Sequence, residues 1–124
     1  MKRVALFLLV LVSLVVAYTA LSAARSEDLD PVKVAGDTHK LVLENKFVRV
    51  LETKIPAGKS EPMHEHRRGV VIYLSDFKVR VTERGAKPQE AVRHNGDIRW
   101  RENTVHSVKN IGTTEGHVIS VELK

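Results

Sequence analysis

From residue 39 to the end of the chain, apolar and polar side chains alternate in short runs separated by turn-forming clusters. The alternation is clearest where Val48, Val50 and Glu52 fall on one face of an extended segment and Phe47, Arg49 and Leu51 on the other. This pattern predicts strands over residues 40–43, 47–55, 62–66, 70–74, 78–82, 91–93, 97–101, 105–109 and 117–123. The run Val70-Val71-Ile72-Tyr73-Leu74 is apolar throughout and reads as a strand covered on both faces. Between the runs lie Glu44-Asn45-Lys46, Pro56-Ala57-Gly58, Arg84-Gly85-Ala86, Asn95-Gly96, Asn110-Ile111-Gly112 and Glu115-Gly116. Asn95-Gly96 is the strongest hairpin signal, because both residues tolerate the positive φ of a tight turn. No helical stripe is visible in this region. Eight or nine strands in about 85 residues, with short links, predict an all-β domain closed into an antiparallel barrel or jelly roll.

The first residues follow a different pattern. Lys2 and Arg3 lead into an apolar run from residue 4 to residue 17, interrupted only by Ser13, and a softer stretch follows to Ala24. A basic start, an apolar middle and small residues at Ser22 and Ala24 are the parts of a secretory signal cut before Arg25. The same residues 4–24, at about 1.5 Å each in a helix, are long enough to remain as an uncleaved membrane anchor. Both alternatives predict export to a periplasmic or extracellular location, and the membrane is a partner only if the segment is retained. Residues 25–38 are polar and acidic, contain Pro31 and Gly36, and read as a linker. The expected layout is therefore a signal or anchor helix over 1–24, a linker over 25–38 and a barrel over 39–124.

Composition narrows the partners. The chain has 20 basic and 15 acidic residues, and without Lys2 and Arg3 the excess falls to +3, scattered along the sequence. A nucleic-acid surface needs a basic stripe interleaved with aromatics, and aromatic residues are only 5% of this chain. Nucleic acid is set aside as a partner on that ground. There is no cysteine, so the exported domain has neither disulfides nor a lipidated thiol.

The candidate chemistry centres on His64-Glu65-His66. Side chains at i and i+2 of a strand share a face about 7 Å apart at Cα, so two imidazoles can converge on one ion while Glu65 points away. Taken alone, a His-x-His pair is as readily a surface feature. Its surroundings add information: Gly58 stands six residues earlier, and Gly96-Asp97 opens a strand leading to His106, with Asn110 four residues further on.

This order resembles the two motifs of the cupin superfamily, a glycine and five residues before His-x-His, then a glycine-led strand ending in His with a later Asn. The resemblance spans about residues 39–124. It implies a cupin-type barrel with His64, His66 and His106 as metal ligands and Asn110 as a turn former. Two positions depart from the pattern. The carboxylate expected after the second His falls at Val70 or Val71, which cannot bind metal, and the usual Pro-x-Gly before the last His is replaced by Arg101-Glu102-Asn103, where Asn103 can take the turn conformation.

Three neutral imidazoles leave the charge of a divalent ion uncompensated, which favours water, hydroxide or an anion beside it. Zn, Fe, Cu, Ni and Mn all suit such a donor set. Tyr73, Trp100 and Arg68 are candidate ligand-binding residues, with Arg67 beside Arg68 as a second cation. His94, His39 and His117 carry no assigned function, and Glu52 and Glu122 are expected to face solvent, with an inward glutamate on a neighbouring strand as the alternative source of a fourth ligand. Three readings stay open: a binding module for a divalent metal and a small, anionic ligand; a metal-dependent enzyme such as an oxygenase or isomerase; and a metal-free structural protein. Cupins often dimerise, which makes a homodimer an expectation of the resemblance.

Overall fold

The structure is a computed structural model that describes residues 27–124. The expected signal or anchor segment, residues 1–24, lies outside the described residues. Among the described residues, nine strands follow one short helix. They are β1 (His39–Glu44), β2 (Val48–Ile55), β3 (Ser60–His66), β4 (Gly69–Tyr73), β5 (Phe77–Glu83), β6 (Gln89–Arg93), β7 (Ile98–Arg101), β8 (Thr104–Asn110) and β9 (Gly116–Leu123). All pair antiparallel, in a five-stranded sheet ordered β1-β2-β9-β4-β7 and a four-stranded sheet ordered β3-β8-β5-β6. The chain passes between the sheets six times, which is how a jelly roll encloses one interior.

Strand alternation decides what enters that interior. On β2 the inward set is Leu51, Thr53 and Ile55, all buried, and on β9 it is Val118, Ser120 and Glu122. One end is apolar, where Val71, Phe77, Val79 and Val118 pack with Tyr73, Val81, Ala91 and Val108 around them. The other end is filled by buried histidines and carboxylates. Gly69 makes the second arrangement sterically feasible. It sits opposite Glu122, and a Cβ at this position would lie 2.0 Å from the Val121 carbonyl oxygen. Asn95-Gly96 forms the expected turn, with Gly96 at φ +89°.

Residues 27–38, expected as a linker, are instead packed on the barrel. Leu29, Pro31, Ala35 and Thr38 are buried, and Leu29 O accepts from Glu65 N at 2.8 Å. Asp30 caps a one-turn helix, α1 (Pro31–Val34), by accepting from Val32 N at 2.9 Å, and its carboxylate pairs with Arg49 at 2.8 Å. Four small or apolar side chains suffice to fasten the segment, too few to produce a periodic signal in the sequence.

Candidate metal centre

His64 and His66 lie on β3 with their side chains inward, at 1% and 3% exposure. His106 on β8 pairs directly with His64 across the ladder, with ring centroids 4.8 Å apart. A fourth imidazole arrives from the other sheet. His39 opens β1, is 2% exposed, and its ring centroid is 4.9 Å from that of His64 and 5.5 Å from that of His66. One ring nitrogen from each of His39, His64 and His66 lies within 4.8 Å of the other two, and His106 flanks them.

The outer nitrogens of three rings are already engaged, and this orients the inner ones. His64 Nδ1 lies 2.7 Å from Pro62 O; a carbonyl only accepts, so Nδ1 carries the proton and Nε2 keeps its lone pair. That Nε2 is buried with no hydrogen-bond partner. His66 Nδ1 donates to Glu122 Oε1 at 2.6 Å, which again leaves Nε2 for coordination. His39 Nδ1 faces Thr38 Oγ1 at 3.1 Å and Glu61 Oε1 at 3.4 Å. An orphaned imidazole lone pair among neutral rings is what a soft-to-borderline divalent ion requires, so the residues present fit a metal.

Electrostatics keep the rings ready to coordinate. Burial, reinforced by the neighbouring His64, lowers His39 to about 4 and His106 to about 3. Burial also lowers His64, and lowers His66 well below the ordinary imidazole range. All four are therefore neutral near pH 7. Two carboxylates lie against the rings. Burial raises Glu61 to about 7, opposed by the Thr38 hydroxyl at 2.5 Å, and burial likewise raises Glu122, opposed by Arg101. Arg101 Nη2 is 3.3 Å from Glu122 Oε1, so one carboxylate oxygen serves both Arg101 and His66.

The cluster opens into a cavity of about 390 Å³ that runs toward the apolar end and is also lined by Tyr73, Arg93, Arg99 and Arg101. Among solved structures, a cupin domain from Bordetella pertussis Tohama I superposes with a TM-score of 0.64 at 23% identity, over 69% of this chain and 91% of that one. The chain has the cupin fold. An RmlC-like cupin with a double-stranded β-helix from Methanocaldococcus jannaschii matches with a TM-score of 0.55 at 16% identity, over 68% of this chain and 77% of that one. A double-stranded β-helix protein from Klebsiella pneumoniae gives 0.52 at 18% identity, over 67% and 72%. No family model and no curated protein matches the sequence.

Within this cupin barrel, the residues singled out from sequence take separate places. His64, His66 and His106 come together. Tyr73 lines the cavity, its ring 5.4 Å from the Arg93 guanidinium. Trp100 contributes to the cavity rim, but its position opposite Val70 puts it on the outer face of the sheet, where its indole donates to Glu102. Arg68 is exposed in the β3–β4 turn, outside the cavity, and its backbone N donates to Asn103 Oδ1 at 2.7 Å. Asn103 thus holds its turn through the side chain; no residue other than glycine has positive φ among the described residues.

Glu122 corrects the expectation of solvent exposure: it is 1% exposed and bonded to His66. Val71, at the position of the missing carboxylate, packs in the core, and the acid beside the histidines comes from β9 instead. Glu52 remains on the outer face and pairs with His117 at 2.8 Å. His39 and Glu61 were not assigned from sequence. For Glu61 the reason is a β-bulge between it and His64, which turns residues of opposite parity to the same face.

Proposed function

We propose that this chain is an exported cupin-fold protein that holds a divalent metal on His39, His64 and His66, with His106 alongside, and takes a small anion into the adjoining cavity. The unpartnered, buried Nε2 of His64 among neutral rings carries the metal reading. Such an ion, when bound, would supply Lewis acidity and a site for an anionic or water-derived ligand. The protein's part is to fix the tautomers through Pro62, Glu122 and Glu61, exclude water with the apolar lobe, and present Arg101 beside the rings. The basic, apolar and small-residue order of residues 1–24 supports export.

Metal content of the purified domain, measured by elemental analysis beside a His64→Ala/His106→Ala variant and a His39→Ala variant, tests the reading. About one ion per wild-type chain and depletion in both variants is the expected result. Equal metal in all three proteins overturns it.

A metal-dependent enzyme is the second reading, and Glu61 favours it. A cavity-lining carboxyl raised to about 7 can take up or release a proton at neutral pH. Oxygen uptake and product formation with thiols, sugars and keto acids separate this reading from a binding module. Turnover lost in Glu61→Gln with metal retained supports it, and absence of turnover with every class favours the binder.

We also propose that a second copy covers the outer face of the five-stranded sheet. Leu43, Val50, Val121, Val70 and Trp100 stand in one unbroken row across all five strands, with Ile119, Ile72 and Ile98 in the next. Leu43, Ile98 and Trp100 are about half exposed or more. An isologous pair buries the same row twice, which is how a two-fold dimer approaches the roughly 1,200 Å² of small specific interfaces.

A further inference from the structure

We propose that the cavity selects a small carboxylate with a compact apolar body, and that Arg101 is the residue that recognises its carboxylate. The inference deepens the reading of the cavity as an anion site and rests on that reading, but it does not require the metal.

Arg101 ends β7 with its side chain inward and its guanidinium largely buried. Its contacts are long and few: Nη2 to Glu122 Oε1 at 3.3 Å and Nη1 to Ser120 Oγ at 3.5 Å. Its Nε–H is buried and has no partner at all. Buried donors of a charged group are normally satisfied, so this orphan marks a place where an acceptor is missing. Glu122 does not fully answer the charge, because the same oxygen accepts the shorter bond from His66. The four rings beside it are neutral and cannot compensate. The cavity wall as a whole carries Glu61, Glu83 and Glu102 against Arg93, Arg99 and Arg101, so the missing acceptor is local to the Arg101 guanidinium.

The remaining walls determine the rest of the ligand. Val71, Phe77, Val79, Val81, Val108 and Val118 line the other end and offer no hydrogen bonds to a polar body. A sugar phosphate would bury hydroxyl groups there unpaired, whereas an aliphatic or aromatic body loses nothing. A planar carboxylate matches the fork of a guanidinium better than a tetrahedral anion held at one oxygen. The volume of about 390 Å³ is in the range of small-ligand sites and accommodates a molecule of benzoate size.

The test is calorimetric titration of the full folded domain, both metal-loaded and chelator-treated, with benzoate, 3-methylbutanoate, benzamide and inorganic phosphate. Benzoate and 3-methylbutanoate should bind, with benzamide and phosphate at least tenfold weaker. Arg101→Gln should lose at least tenfold in benzoate affinity while keeping its metal content, and Arg101→Lys, which retains the charge and a folded reference, should lose part of it. Equal benzoate affinity in wild type, Arg101→Lys and Arg101→Gln overturns the proposal. So does phosphate binding tighter than benzoate, or no carboxylate binding at millimolar concentration. Benzoate binding to a wild-type protein that holds no metal supports Arg101 while defeating the metal reading. Benzoate binding that survives Arg101→Gln but vanishes on chelation does the reverse.

Discussion

Acidifying the metal-free protein probes the buried rings directly. A histidine whose folded pKa lies below its unfolded value stabilises the fold only while neutral. That stabilisation is complete above the unfolded value of 6.5 and is lost as the pH falls toward the folded one. With folded values of about 4 for His39 and about 3 for His106, each loses about 2 kcal/mol between pH 7 and pH 5. Glu61 acts in the opposite direction. Its folded value of about 7 lies above the ordinary 4.5, so protonation over the same interval returns about 2 kcal/mol. Together these three groups leave the wild type about 2 kcal/mol less stable at pH 5 than at pH 7; His64 and His66 act in the direction of loss and Glu122 in the direction of return. Glu61→Gln removes the main offset and should lose about 4 kcal/mol over the same range. Asp30, held below the usual carboxylate range by Arg49, does not titrate in this window. Urea unfolding followed by far-ultraviolet circular dichroism, with chelator present, reads both proteins. At about 2 kcal/mol per molar urea, the midpoint should fall by about 1 M in the wild type and about 2 M in the variant. A midpoint that stays fixed or rises on acidification of Glu61→Gln would falsify the neutral-cluster argument.

Three further outcomes are expected. Glu122→Gln keeps the hydrogen-bonding shape beside His66 but removes the charge that makes its ring basic, and should weaken metal affinity by about 10- to 100-fold in chelator competition; unchanged affinity would mean that Glu122 only fills space. Gly69→Ala places a methyl 2.0 Å from the Val121 carbonyl and should destabilise the barrel by about 3 kcal/mol or more, read as a lowered thermal midpoint; a midpoint within a degree of wild type would show that β4 and β9 can separate at no cost. Trp100→Glu puts a charge in the central apolar row, and light scattering after size exclusion should show a monomer where the wild type is a dimer; a wild-type monomer at high concentration would remove the second copy from that face.

The fold was legible because strand alternation and turn residues carry it. The nine runs expected from sequence each overlap one observed strand, and the Asn95-Gly96 turn forms as expected. His64 and His66 share a face because their spacing of two matches the strand period, which the sequence alone displays. What stayed hidden depends on contacts between distant segments. His39 stands at a strand start beside a segment that lacks periodicity, and is held at the cluster by contacts with Ala35, Glu61 and β2 that local sequence does not reveal. Glu61 is misplaced by any strict alternation because the bulge before His64 reverses its face. Glu122 lies between Val121 and Leu123 on a strand whose inward register is set by pairing with β4 at Gly69, a partner that local sequence does not name.

His39 belongs to the five-stranded sheet, whereas His64, His66 and His106 belong to the four-stranded one. An ion shared among them would act as a cross-link between the two halves of the barrel, closing a loop that runs from the first strand through to the third. In a chain without cysteine, no disulfide can perform this task. Unlike a disulfide, such a link can be undone by competing chelators and remade by supply, with its strength tracking free metal concentration by mass action. The lifetime of the folded barrel, and with it resistance to proteases, would then vary with the metal content of the surroundings at constant sequence.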